Sequence, residues 1–116
     1  MDNLYSLIVS PRAGYEIKDA TTYISYTLMN KSAADNLLSK TNISINSLSS
    51  NPYRRPLVRD KRLAAKGLRL LPVNNYNLFY IICEKTKRVF IISFMYSKRD
   101  WSRLFDDTEF ENTGDK

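Results

Sequence analysis

Histidine is absent from the 116 residues, and cysteine occurs once, as Cys83. The first absence removes Ser-His-Asp and Cys-His catalysis, histidine general bases and most catalytic zinc sites together. A single thiol excludes an intramolecular disulfide and a cysteine-based zinc cage. Within an apolar run, Cys83 reads as a packed, inert thiol. No apolar stretch approaches the roughly 18–20 residues that a membrane-spanning helix needs. The opening Met1-Asp2-Asn3-Leu4 carries no basic segment and no long apolar stretch, so no signal peptide is expected. These absences describe a small cytoplasmic domain that needs no metal or cofactor. Its chemistry must come from Arg, Lys, Tyr, Asp or Glu.

What is present is a normal complement of apolar residues, 43%, and an uneven charge. Residues 1–105 carry 17 bases and 7 acids, a balance of +10. Asp106, Asp107, Glu109, Glu111 and Asp115 then make residues 106–116 an acidic tail, expected to be flexible, behind a single domain at 1–105. The tail could instead fold back over the basic body. A body this basic attracts polyanions. The bases are densest from Arg54 to Arg69: Arg54, Arg55, Arg59, Lys61, Arg62, Lys66 and Arg69 against Asp60 alone. This stretch is either a solvated connector or a polyanion-contacting surface.

The pattern along the chain predicts the order β-α-α-β-β-β. Leu4 to Val9 reads as a strand. Ser10-Pro11 then starts a helix, with serine as cap and proline in the first turn. Ile17, Ala20, Ile24 and Leu28 continue it at helical spacing. Ser32 with Asp35 resembles a capping box for a second helix, which runs until the residues before Asn51-Pro52. Two helices so close form a hairpin. After the basic connector, Gly67 leads into a strand at Leu68–Val73, which Pro72 places at an edge or a bulge. Asn74-Asn75 turns the chain. Tyr76–Glu84 and Arg88–Tyr96 follow as strands joined through Lys85-Thr86-Lys87. The expected fold is α+β, a small antiparallel sheet of about four strands on an N-terminal helical hairpin.

The last two strands are apolar on both faces. Leu78, Tyr80 and Ile82 alternate with Phe79, Ile81 and Cys83. Val89, Ile91 and Ser93 alternate with Phe90, Ile92 and Phe94. The helices can cover only one face. The other requires a partner segment, or the chain's own Trp101–Phe105.

Several short pieces, in this order, resemble the RelE/ParE superfamily of bacterial type II toxins. They are Ser10-Pro11-Arg12-Ala13, Asn51-Pro52-Tyr53 with Arg55-Pro56-Leu57, Gly67-Leu68-Arg69 followed by Asn75-Tyr76, and Tyr96-Ser97-Lys98-Arg99-Asp100-Trp101. The resemblance spans about residues 4–105. It implies a toxin that arrests growth until a cognate antitoxin wraps around it. Phe79, Ile81, Phe90, Ile92 and Trp101 are the expected antitoxin-binding residues. Arg54, Arg55, Arg59, Lys61, Arg62, Arg69 and Arg99 are the expected contacts to the target or a polyanion.

The superfamily divides by target. RelE-like members cleave mRNA on the ribosome by attack of a 2′-hydroxyl on the adjacent phosphate. That step needs a base, an acid and cations around the phosphate. The RelE pattern puts cations on the second strand and after the strand-opening tyrosine, then a late arginine and a late tyrosine. The matching positions here are Leu68, Leu70, Asn77, Arg99 and Phe105, so only the arginine is kept. A rebuilt catalytic set would use Arg69, Tyr96, Lys98 and Arg99. ParE-like members instead bind DNA gyrase and trap it on cleaved DNA. The resemblance favours that action here, with the ribonuclease as the alternative.

Overall fold

The computed structural model describes residues 4–105 and Phe110. The acidic tail residues named above lie outside them. Strand β1, Ser6–Val9, leads into helix α1, Pro11–Thr22, and helix α2, Lys31–Ser47. A single turn of 3-10 helix at Pro52–Arg54 and a short helix α3, Lys61–Ala65, form the basic connector. Strands β2, Arg69–Val73, β3, Tyr76–Cys83, and β4, Arg88–Tyr96, complete the sheet. A last 3-10 turn occupies Trp101–Leu104. No helix among the described residues is long and apolar enough to cross a membrane.

The sheet order is β1-β4-β3-β2. The expected antiparallel pairing holds for β2, β3 and β4, whose tight turns force it. β1 joins β4 in parallel, so the sheet is mixed. No hairpin ties β1 to its neighbour. The helices carry the chain away, which frees its direction.

Helix starts follow side-chain chemistry. Ser10 Oγ accepts from the Ala13 amide at 3.1 Å, as Ser10-Pro11 predicts. At α2 the cap is Asn30, whose side-chain oxygen accepts from the Ala33 amide at 3.0 Å. The capping box expected at Ser32 is displaced by it, and Asp35 pairs instead with Lys31 at 3.2 Å. The first helix also ends early. From Tyr23 to Thr27 it widens into a π-turn, with the Leu28 amide donating to the Tyr23 carbonyl at 3.0 Å. Gly67 stands just past α3 at φ 87°, a conformation that favours glycine, and so turns the connector into β2.

A further departure is in β4. Phe79 pairs with Ser93 but Tyr80 pairs with Ile91, so Ile92 is an extra residue, a β-bulge. Strict alternation would place Phe94 on the face of Phe90 and Ile92. The bulge shifts Phe94 to the helix side with Val89 and Ile91, and Met95 to the far side with Ile92. Glu16 of α1 holds the distortion: its Oε1 accepts from Ser93 Oγ at 2.7 Å and from the Phe94 amide at 2.9 Å. Ser10 Oγ donates to the Ile92 carbonyl at 3.2 Å. The groups left unpaired by the bulge thus find partners on α1 and its cap.

The core is two-layered about the sheet. On the helix side, Ala13, Leu37, Ile45 and Leu48 pack on Leu71, Leu78, Tyr80 and Ile91. On the other side, Val58, Leu63, Phe105 and Phe110 pack on Leu68, Phe79, Ile81, Ile92 and Met95. The chain's own connector and C-terminal turn therefore cover the second face, one of the two coverings the apolar pattern allowed.

Candidate functional site

The basic residues fall into two groups, those engaged by the fold and those left to solvent. At the start of β2, Arg55 Nε donates to the Leu70 carbonyl at 3.0 Å, and Arg69 Nη1 donates to the Arg55 carbonyl at 2.5 Å. The two side chains clamp the connector to the sheet edge. The Val58 amide adds a bond to the Leu68 carbonyl at 3.0 Å. Arg69 also lies 5.1 Å from the centre of the Tyr53 ring, a cation–π contact. Behind it, the buried Tyr80 hydroxyl donates to the Pro52 carbonyl at 2.7 Å. Burial pushes the Tyr80 hydroxyl up, against the opposing pull of Arg69, Arg54 and Arg55.

Beside this clamp, two tyrosines share one carboxylate. Tyr53 and Tyr5 donate to Glu84 Oε1 at 2.7 and 2.8 Å, and Lys87 forms an ion pair with the same group. Lys87, Tyr53 and Tyr5 together hold the Glu84 carboxyl down at about 2. Bonding to that anion, with some burial, lifts the Tyr53 hydroxyl to about 12. The cluster joins the N-terminus, the connector and the β3–β4 turn. Sequence reasoning assigned none of Tyr5, Tyr53 and Glu84 a role. The only available signal was the Asn51-Pro52-Tyr53 motif.

Arg62 is a fastener too. Its Nη2 donates to the carbonyls of Ser102 and Phe105, each at 3.2 Å. Arg12 lies 5.3 Å from the Phe105 ring centre. Trp101 and Phe105 then rest on Phe79, with ring centres 5.0 and 5.1 Å away. Of the residues expected to meet the antitoxin, Phe79, Ile81 and Ile92 are buried under these segments. Phe90 and Trp101 are half-buried and keep some surface.

The other basic residues expected at the site, Arg54, Arg59, Lys61, Lys98 and Arg99, are exposed, and their side chains make no hydrogen bond or ion pair to another described residue. An ion pair between Arg99 and its neighbour Asp100 does not form. Asp100 pairs with Arg103 instead, at 3.3 Å on an exposed surface. Tyr96 is 42% exposed and meets Tyr76 edge-on, with ring centres 5.8 Å apart. Tyr76 stacks in turn on Phe94 at 4.9 Å.

The structure does not bring the rebuilt catalytic set together. Arg69 pairs with Tyr80 at one end of β2. Tyr96 pairs with Tyr76, which pairs with Val73 at the other end. Val73 lies four residue steps along the strand from Arg69, roughly 13 Å at about 3.3 Å per residue. Lys98 and Arg99 follow Tyr96 and so belong to the end remote from Arg69.

A mixed four-stranded sheet under a helical hairpin, with a basic surface, is the fold of the RelE/ParE superfamily. The family model for the ParE toxin of the type II toxin–antitoxin system parDE matches residues 7–101, and the chain belongs to that family. Among solved structures it is similar to the chromosomal ParDE system of P. aeruginosa, at TM-score 0.65 and 14% identity, covering 84% of this chain and 100% of that one. It is also similar to the RelBE2 toxin–antitoxin complex of Mycobacterium tuberculosis, at TM-score 0.52 and 20% identity, covering 80% of this chain and 91% of that one. A search of curated protein sequences returns no match.

Proposed function

We propose that this toxin arrests growth by poisoning DNA gyrase and is held inactive by a cognate antitoxin. One observation carries the choice of target. Three positions that match cations of the RelE pattern hold Leu68, Leu70 and Asn77, and the position of its late tyrosine holds Phe105; Leu68, Asn77 and Phe105 are buried. A site for RNA cleavage needs charged groups converging on one phosphate. Here those positions carry core packing, and Arg69 and Arg99 stand at opposite ends of the sheet. A binding poison requires only an exposed recognition surface, and Arg54, Arg59, Lys61, Lys98 and Arg99 supply one.

The antitoxin reading is supported by the family and by the two similar structures, both from toxin–antitoxin systems. An acidic, amphipathic segment would complement the exposed cations and the surface kept by Phe90 and Trp101. It would reach Phe79, Ile81 and Ile92 only by replacing the C-terminal turn. The cytoplasm is the compartment that holds gyrase.

The test uses purified gyrase, plasmid DNA and the toxin. Accumulation of cleaved DNA covalently bound to gyrase, suppressed by the antitoxin, is the expected result. Intact DNA together with codon-specific cuts in mRNA on translating ribosomes would establish the ribonuclease instead.

A further inference from the structure

Away from the arginine clamp, a cleft of about 470 Å³ opens between the start of α2 and the β2–β3 turn. Its size lies within the ~300–1,000 Å³ typical of small-molecule sites. Asn30, Ser32, Asn36, Asn74, Asn75 and Tyr76 supply its polar lining, over an apolar floor of Ile24 and Leu37. No lining residue carries a charge. The Asn30 side-chain oxygen is spent on the helix cap, and that of Asn74 accepts from Lys40 Nζ at 3.4 Å, so both amides keep N–H donors. Asn36, Asn75 and Ser32 make no side-chain hydrogen bond to another described residue. Donors and acceptors of this kind match the edge of a heteroaromatic ring, while Tyr76, Ile24 and Leu37 suit its flat faces.

Cations lie at the margin rather than inside. Lys40 reaches Asn74 directly. On the strand side, the Ser97 amide donates to the Asn75 carbonyl at 2.8 Å, and the exposed Lys98 and Arg99 follow Ser97 directly in the chain. A neutral, amide-rich recess edged by lysine and arginine, on a body of balance +10, fits a base inside and phosphates outside.

We infer that this cleft binds a single unstacked nucleobase. The inference is independent of the choice between gyrase and ribosome, because either assembly presents nucleic acid. It predicts a base-reading contact at the tip of the helical hairpin, where the start of α2 meets the Asn74-Asn75 turn.

Titration of ¹⁵N-labelled toxin, followed by its asparagine side-chain amide signals, tests it. The probes are adenosine monophosphate, ribose 5-phosphate and five-nucleotide single strands of RNA and DNA. Saturable shifts of the Asn36, Asn74 and Asn75 amides with the nucleotide or a strand support the site. Response to both identifies the base itself as the ligand, and response to strands alone identifies a base presented on a chain. Asn36→Ala and Asn75→Ala replace exposed side chains, and each should weaken binding at least fivefold with the backbone spectrum kept. Equal shifts with ribose 5-phosphate, shifts confined to the Arg54–Lys61 connector, or no saturation by any probe would overturn the inference.

Discussion

The two groups of cations in this toxin have similar chemistry and opposite employment. Arg55, Arg62 and Arg69 spend their guanidinium groups on backbone carbonyls. Arg54, Arg59, Lys61, Lys98 and Arg99 present their guanidinium and ammonium groups to solvent. Adjacent residues fall on different sides of this division, Arg54 from Arg55 and Lys61 from Arg62. Charge density along a chain therefore measures attraction for polyanions but does not separate recognition from fastening. The guanidinium is suited to fastening because its planar fork can bond a carbonyl while its face lies on a ring, as Arg69 does with Tyr53.

This division predicts opposite phenotypes. The largest effect is expected from replacing both Lys98 and Arg99 by alanine. Growth arrest on induced expression should be lost, while denaturant unfolding shifts by less than about 0.5 kcal/mol, as for exposed sites generally. Full toxicity of that folded variant would remove the pair from the site. Arg69→Ala should do the reverse. Loss of a charge-assisted bond to a carbonyl and of the ring contact should cost about 2 kcal/mol in urea unfolding. Arg62→Ala should cost about 1 kcal/mol and loosen the C-terminal turn. Trp101 is the only tryptophan, so its emission should shift to the red as the turn loosens. Gly67→Ala should cost about 1 kcal/mol or somewhat more through backbone conformation alone, because its φ is 87°. The added Cβ would meet the nearest atom, Ile81 Cγ2, at an ordinary 3.8 Å.

The smallest effect is one of pH. The folded Glu84 carboxyl sits at about 2, below its ordinary 4.5. Its contribution to stability is therefore complete above pH 4.5 and fades as pH falls toward 2. Glu84→Gln should lower the melting temperature at pH 7 and leave it nearly unchanged near pH 2. An equal loss at both pH values would show that Glu84 acts by packing rather than by charge.

Much of the architecture was legible because local signals agreed. Ser10-Pro11 starts a helix, Asn74-Asn75 turns the chain, and Gly67 leads into β2, although the short helix α3 before it was not expected. Three features were hidden for physical reasons. The bulge at Ile92 rests on Glu16, 77 residues away from Ser93, so no local pattern in β4 announces it. The parallel direction of β1 follows from the path of two helices. The cap at Asn30 and the capping box at Ser32 both obey sound chemistry, and α2 takes the first, with the Asn30 side chain accepting from the Ala33 amide. Among site residues, the sequence marked the exposed Arg99 and the buried Phe79 equally. Only packing shows that Phe79 lies beneath Trp101 and Phe105.

The central claim is that this fold is used as a binding poison of gyrase and not as a nuclease. Separate pulse-labelling of DNA and protein synthesis, in the first minutes of induction without antitoxin, tests it most directly. The account predicts that DNA synthesis stops first, with double-strand breaks, while protein synthesis continues. Arrest of protein synthesis while DNA synthesis continues would contradict it.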